Sequence, residues 1–239
     1  MADVEHEVVT EEEWLARRKE LLAKEKELSR LTDEVNAARA KLPWKKLEKE
    51  YEFVGKDGKV PFSALFGKHQ NLLVFHAMME DDWEKPCKNC SFWMDGFSGQ
   101  LPHLEEHAAF AVIVHASYDK FAKVAEMKGW SFPFYSSSCS SFNVDMGVGF
   151  TAAQMAEKTA SYNFGTTKHH PSSQAPGASA FRLAGDGSTV YHAYSTFARG
   201  LSNLNGCYSW IDFIPGTGRL FEKDLSYTMA WIQHKENYN

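Results

Sequence analysis

Apolar residues recur every seven positions along the first part of the chain. Between Glu11 and Leu42 there is no Gly or Pro, and the segment is rich in Glu, Lys, Leu, Ala and Arg. The repeated apolar positions are Trp14, Leu21, Leu28, Val35 and Leu42. This spacing predicts one long helix, which Pro43 ends.

The positions three residues after these are apolar only in the second half of the segment, where they are Leu31 and Ala38 rather than Arg17 and Lys24. A free-standing coiled coil needs both positions apolar throughout. We therefore expect the helix to pack on its own domain or on a second subunit, which would make a homo-oligomer. The chain divides accordingly into an amphipathic N-terminal helix at 1–45 and a domain at 46–239.

Two continuous apolar runs predict strands that are buried on both faces of a partly parallel sheet. They are NLLVFHA at 71–77 and AAFAVIVH at 108–115. Shorter alternating segments around GKDGK predict a hairpin over 51–62, and a second hairpin is expected around GDG at 185–187. FPFYSSS at 132–138 predicts a further strand, and 161–178 is expected to be loop.

Helical patterns lie between these strands. Trp93, Phe97, Leu101 and Leu104 share one face of a helix that Gly and Pro residues should break, and 117–128 predicts a helix with Gly129 as its C-cap. TAAQ at 151–154 is a capping box that opens a short helix, and a last helix is expected at 224–234. The order strand, helix, strand, helix is a βαβ unit, so the pattern predicts an α/β fold.

Composition and charge argue against several classes of protein. The net charge of −5 argues against nucleic-acid binding, because phosphate contacts need a concentrated positive face. The apolar runs are too short to cross a bilayer, which excludes membrane-spanning helices. Four cysteines in 239 residues are too few for a disulfide scaffold, and the N-terminus lacks the pattern of a signal peptide. We expect a protein of the reducing cytoplasm.

The most informative motif is the pair Cys87 and Cys90 in EKPCKNCSFW, placed after a buried strand at the start of a predicted helix. Backbone N–H groups and the helix dipole stabilise a thiolate at such a position. Cys87 would then attack a disulfide and Cys90 would resolve the mixed disulfide. Lys88 favours the thiolate, whereas Asp81, Asp82 and Glu84 oppose it if they lie close.

Two other interpretations of the pair stay open. The two thiolates with His76 or His192 would be the ligands of a copper or zinc carrier, although zinc sites of this type usually add a second close-spaced pair. Alternatively, the cysteines are simply packed in the core. Trp83 and Trp93 flank the pair as candidate walls of a substrate groove, with core packing as the alternative. Lys88 and Pro176 are further candidates for this groove. The redox interpretation requires no cofactor beyond the dithiol.

Several long stretches resemble one family, the thioredoxin-like proteins of DUF899, which are described as predicted dithiol-disulfide oxidoreductases. They include RKELLAKEKELSRL, CKNCSFWMDGF, HLEEHAAFAVIVHAS and YHAYSTFARGLSNLNGCY. The resemblance covers nearly the whole chain. It implies a thioredoxin-like three-layer sandwich with peroxiredoxin-like additions, but it brings no established substrate. From the dithiol we expect a disulfide-containing protein or small thiol as partner and a cellular thiol-reducing system as electron donor.

The resemblance to thioredoxins also implies a cis-proline beside the dithiol, and Pro176 in APGASAF is the candidate. A thiol-dependent peroxidase is the nearest enzymatic alternative. Peroxiredoxins carry a Thr or Ser three positions before the peroxide-reducing cysteine, and Glu84 occupies that position here. They also carry an arginine, for which Arg182 is the candidate.

Overall fold

The computed structural model describes residues 6–215, 229 and 231–238. The helices are α1 (Glu11–Ala40), α2 (Lys88–Met94), α3 (Leu101–Leu104), α4 (Tyr118–Lys128), α5 (Phe142–Asp145), α6 (Ala152–Ala156) and α7 (Gly206–Ile211). The strands are β1 (Lys45–Lys46), β2 (Glu52–Gly55), β3 (Gly58–Pro61), β4 (Asn71–Ala77), β5 (Ala109–Val114), β6 (Phe134–Ser136), β7 (Gly177–Leu183) and β8 (Val190–Phe197). Short 3-10 helices occur at Phe62–Phe66, Ala198–Leu204 and Lys235–Asn237.

The strands form one sheet in the order β1-β8-β7-β4-β5-β6-β2-β3. Strands β4, β5 and β6 are parallel, and β7 pairs antiparallel with β4 and β8. The central order β8-β7-β4-β5, with the cysteine pair after β4, is the arrangement of the thioredoxin fold. The predicted α/β class, the thioredoxin-like fold and the long N-terminal helix are therefore confirmed.

Alternation along the central strands separates two hydrophobic cores, one on each face of the sheet. Phe75 and Ala77 of β4 pack in a core that contains Cys90 and residues of α2 and α4. Leu72 and Val74 of the same strand pack in the opposite core, with Phe142 of α5. The sheet thus has helical segments on both faces, as a sandwich of three layers requires.

Local sequence signals account for the element boundaries. Gly129 ends α4 in the left-handed region at φ 70°, and Thr151 forms the predicted capping box with Gln154 at the start of α6. Both predicted hairpins are present, as β2–β3 and β7–β8. Most of the helix predicted at 224–234 lies outside the described residues, and residues 231–234 are not helical.

The helix α1 begins at a capping box between Thr10 and Glu13 and runs for 30 residues. None of its residues is buried against the part of the chain that the structure describes. Of the two expected packing partners, its own domain is therefore excluded, and packing on a second subunit stays a prediction. Near its end, the Arg39 guanidinium lies 4.7 Å from the ring centre of Tyr194. Across the described residues, no helix is both long and apolar enough to traverse a bilayer.

Candidate active site

The cysteine pair lies where the chain returns from β4 into α2. The Cys87 N–H donates to the Met78 carbonyl over 3.0 Å, and the Met78 N–H donates to Cys90 Sγ over 3.4 Å. Cys87 is the N-cap residue of α2 and is half-buried, whereas Cys90 is only 1% exposed. Both are free thiols. Cys87 is therefore the less buried of the two cysteines, and Cys90 is enclosed.

The surroundings of the two thiols move their pKa values in opposite directions. A hydrogen bond from the Cys90 thiol lowers the pKa of Cys87 to about 6, against the effect of burial. The backbone N–H groups of Cys90 and Asn89 and the charge of Lys88 also lower it. The hydrogen bond to Cys87, burial and the Cys87 charge raise the pKa of Cys90 well above its usual range. At neutral pH the pair therefore holds one negative charge on Cys87 and one proton on Cys90.

The acidic residues near the motif have other partners or face solvent. The Asp81 carboxylate accepts hydrogen bonds from the N–H and hydroxyl of Ser117, both at 2.8 Å, and so caps the start of α4. Asp82 and Glu84 are exposed. Lys88 supplies a charge that lowers the pKa of Cys87, which agrees in direction with its predicted role.

The other groove candidates occupy different environments. Trp83 is partly buried beside the core that contains Cys90. Trp93 is 5% exposed and its indole N–H donates to the Leu201 carbonyl over 3.0 Å, so it belongs to the core and does not line an open groove. Core packing was the alternative interpretation of this residue.

Pro176 immediately precedes β7, and its carbonyl accepts a hydrogen bond from the Tyr162 hydroxyl over 2.6 Å. The described residues contain no cis peptide bond, so the expected cis-proline is wrong. The same Tyr162 hydroxyl accepts from the Ala198 N–H over 2.9 Å. Tyr162 therefore joins the start of β7 to the end of β8, a role that no local sequence signal indicated.

The candidate histidine ligands do not face the cysteines. The ring of His76 lies 5.8 Å from that of Phe142, in the core on the opposite face from Cys90. Its Nε2 contacts the Ser179 hydroxyl at 2.8 Å, and a chain of hydrogen bonds continues through Ser195 to His192. Within the described residues, no group of three or more His, Cys, Asp or Glu side chains could hold a metal ion. The predicted metal ligands, the two cysteines with His76 or His192, are therefore not brought together in the described part of the chain.

An ion pair that no sequence motif indicated lies at the carboxyl ends of two parallel strands. Glu80, three residues after β4, contacts His115, which directly follows β5. The Glu80 carboxylate also accepts from Gln174 and Ser173, at 2.8 and 3.1 Å. Burial raises the pKa of Glu80 but its hydrogen bonds outweigh this and lower it, while the bond to Glu80 raises the pKa of His115. The sequence signal for this pair was a polar residue near the end of each of the two apolar runs: Glu80 follows the first run by three residues and His115 ends the second.

Arg182, the arginine of the peroxidase alternative, lies at the wrong end of the sheet. It pairs with Asn71 at the beginning of β4 and hydrogen bonds to that residue, whereas the cysteines follow the end of β4. Six residues of strand separate Asn71 from Ala77, which corresponds to about 20 Å. The remaining cysteines, Cys139 and Cys207, are both exposed, and neither belongs to the dithiol.

An apolar cavity of about 420 Å³ lies on the same face of the sheet as the dithiol, beside Leu73 and Phe75. Its other walls include Phe97, Phe110 and Tyr194. Neither cysteine lines this cavity. The groove candidates do not line it either; they are Trp83, Lys88, Trp93 and Pro176. The cavity is therefore separate from the two cysteines.

Comparison with known proteins gives a family and two similar structures. The family model described as "Bacterial protein of unknown function (DUF899)" matches residues 3–238. No curated protein matches the chain. The crystal structure of peroxidoxin BcpB from Mycobacterium tuberculosis has a TM-score of 0.42 and 16% identity, over 68% of this chain and 94% of that one. BsSco, a member of the Sco family of cytochrome c oxidase assembly proteins, has a TM-score of 0.34 and 12% identity, over 69% and 94%.

Proposed function

This chain belongs to the DUF899 family of bacterial proteins of unknown function, and we propose that it is a dithiol-disulfide oxidoreductase. The observation that carries the proposal is the asymmetry of the two thiols. Cys87 is only partly buried and has a pKa of about 6, whereas Cys90 is enclosed with a raised pKa. An attacking thiol must be ionised and accessible, and a resolving thiol must be held beside it, so the geometry supports these two roles.

The reaction begins with attack by the Cys87 thiolate on one sulfur of a substrate disulfide. The substrate S–S bond breaks, a Cys87–substrate disulfide forms, and the other half of the substrate leaves as a thiolate. Once Cys87 is part of the mixed disulfide, it no longer provides the negative charge and the hydrogen-bond acceptor that raise the pKa of Cys90. Cys90 then attacks Cys87 Sγ and its proton passes to the departing substrate sulfur, so the second half of the substrate leaves as a thiol and a Cys87–Cys90 disulfide remains.

The substrate disulfide is the oxidant in this cycle and gains two electrons from the dithiol. A disulfide-containing protein or a low-molecular-weight disulfide would serve, and a cellular thiol-reducing system would return two electrons to the oxidised pair. No cofactor beyond the dithiol enters the cycle. We place the activity in a reducing compartment such as the cytoplasm, because free thiols persist there.

Two other functions receive less support. Peroxide reduction would need an arginine near the reactive sulfur, and Arg182 lies at the far end of β4. Metal carriage would need His76 or His192 beside the cysteines, and the hydrogen-bond chain containing these histidines runs through the opposite core. Disulfide exchange uses only groups that are already in contact.

Reaction with an aromatic disulfide such as DTNB tests the proposal. The chain is used with Cys139→Ser and Cys207→Ser, because both side chains are exposed and would react. We expect this protein to release two thiolates per chain and form an internal disulfide. Adding Cys90→Ser should release one and leave a stable mixed disulfide on Cys87, visible by mass spectrometry.

Adding Cys87→Ser instead should abolish the fast reaction, because Cys90 is enclosed. Equal rates and stoichiometry in all three proteins would contradict the proposed roles. Catalysis is then measured as thiol-dependent reduction of insulin. Failure of the parent protein to accelerate this reaction, despite a fast stoichiometric step, would exclude protein disulfides as substrates.

A further inference from the structure

The helix α1 exposes a large amount of apolar surface. Its exposed large apolar side chains, with those just after it, are Trp14, Leu15, Leu21, Leu22, Leu28, Leu31, Val35, Leu42 and Trp44. Leu28 is 64% exposed and Trp14 is 57% exposed. Together these nine side chains form a large exposed apolar surface on this helix and just after it, and a stable protein–protein interface buries about 800 Å² on each partner. A 30-residue helix that left so much apolar surface exposed to water would be unusual.

The apolar side chains form one continuous stripe. Trp14, Leu21, Leu28, Val35 and Leu42 are spaced by seven residues, which drifts by about 20° per repeat around a straight helix. Leu15 and Leu22 flank the stripe in the first half and Leu31 flanks it in the second, on the side to which it drifts. A stripe of this form faces a second helix continuously when the two wind around each other in a left-handed sense.

We infer that α1 binds the α1 helix of a second copy of this chain, in antiparallel orientation. The two basic residues on the stripe, Arg17 and Lys24, select this orientation. A parallel pair would place Arg17 against Arg17 and Lys24 against Lys24 in the seam, which is unfavourable. With Leu28 opposite Leu31 in an antiparallel pair, Val35 lies opposite Lys24 and Leu42 lies opposite Arg17, so the long side chains cover apolar partners and extend to solvent.

The charges at the two ends of the helix favour the same arrangement. The first turn is acidic, with Glu11, Glu12 and Glu13, whereas the chain around the last turn carries Lys41, Lys45 and Lys46. Antiparallel pairing brings the acidic end of one copy to the basic end of the other. It also brings Trp14 of one copy near Leu42 and Trp44 of the other, which are both exposed in the single chain. The inference does not depend on the proposed dithiol chemistry.

Sedimentation equilibrium of the full chain tests the association. We expect a dimer at micromolar concentrations, and Leu28→Glu should weaken it by at least about 100-fold, since two charges enter the centre of the seam. The matched control is Ala23→Glu, which lies five residues earlier and so about 140° around the helix, away from the stripe. It should leave the dissociation constant unchanged within about twofold.

Leu28 is exposed in the single chain, so its replacement should leave the domain folded, and near-ultraviolet circular dichroism verifies this. A wild-type chain that stays monomeric at all concentrations would overturn the inference. A dimer that Leu28→Glu leaves intact would overturn it as well, because the interface would then lie elsewhere.

Spin labels determine the orientation. Glu12→Cys is labelled in a protein whose Cys87, Cys139 and Cys207 are replaced by Ser. Antiparallel helices place the two labels about 50 Å apart, whereas parallel helices place them within about 20 Å. A short distance in the dimer would disprove the antiparallel arrangement.

Discussion

The backbone N–H of Met78 donates a hydrogen bond to the buried sulfur of Cys90, over 3.4 Å. The Met78 carbonyl in turn accepts from the Cys87 N–H over 3.0 Å, so one residue at the end of β4 fixes both ends of the dithiol motif. Met78, the residue directly after β4, thereby holds the enclosed Cys90 beside the less buried Cys87. The Met78 N–H lowers the pKa of Cys90, but the hydrogen bond to Cys87, burial and the Cys87 charge outweigh this effect and raise that pKa. The first two predictions follow from the resulting difference between the two thiols.

The reactivity of Cys87 should depend on pH with a midpoint near its pKa of about 6. Because the thiolate is the nucleophile, the rate of alkylation by iodoacetamide should reach a plateau above about pH 7 and fall about tenfold for each pH unit well below 6. Mass spectrometry of the digested protein follows the modified peptide. A midpoint between 8 and 9, as for an ordinary thiol, would contradict the assignment of Cys87 as the attacking group.

Lys88→Gln should raise the pKa of Cys87, because it removes a positive charge that stabilises the thiolate. Since Lys88 is the smallest of the contributions given above, we expect alkylation at about pH 6 to slow by only about two- to fivefold. Lys85→Gln is the matched control, because this exposed lysine is not among the groups that lower the pKa of Cys87. Equal slowing in both variants would show a general charge effect rather than a local one.

The ion pair of Glu80 and His115 should stabilise the protein within a limited pH range. Its energy is present while Glu80 is ionised and His115 is protonated, so it is lost as pH falls through the lowered pKa of Glu80 and as pH rises through the raised pKa of His115. Since His115 is partly exposed, Glu80→Gln should lower the free energy of unfolding by only about 1 kcal/mol at about pH 6, and by less at about pH 9.

Urea denaturation at both pH values measures this difference, with the exposed Glu84→Gln as the control. A destabilisation by Glu80→Gln that does not change with pH would show that hydrogen bonds to Ser173 and Gln174, rather than charge, determine the role of this side chain.

The buried chain from His76 through Ser179 to Ser195 should contribute to stability independently of the dithiol. Ser179→Ala removes the hydroxyl that contacts both His76 Nε2 and Ser195, at 2.8 and 2.7 Å. Because buried polar groups then lose partners, we expect the free energy of unfolding to fall by about 1–3 kcal/mol. Ser188→Ala, in the exposed β7–β8 turn, should change it by less than about 0.5 kcal/mol. A neutral effect of Ser179→Ala would contradict the hydrogen-bond assignment.

His76 should also make the protein sensitive to acid. Burial, with a smaller effect of His192, lowers the pKa of His76 to about 3, so the unfolded chain binds a proton that the folded one does not between about pH 3 and 6.5. Stability should therefore decrease as pH falls through this range. His76→Gln should flatten the dependence, measured as the slope of unfolding free energy against pH, and an unchanged slope would exclude this origin.

Several features of this protein follow from short segments of sequence alone. The continuous apolar runs predicted β4 and β5, and Gly129 and the Thr151 capping box predicted the end of α4 and the start of α6. The position of Cys87 and Cys90 after a buried strand predicted a dithiol at the start of a helix. These signals are strong because backbone conformation and helix capping depend on residues within a few positions of each other.

Tertiary structure decided which side chains meet. Alternation along β4 placed His76 on the opposite face from Phe75 and Ala77, but only the packing of α2 determined which face carries the sulfur atoms. The register of β7 placed Arg182 far from them, and Glu80 met His115 only because β4 and β5 are adjacent. Such contacts join residues that are distant in sequence, and their geometry depends on strand order and loop path, which no local pattern encodes.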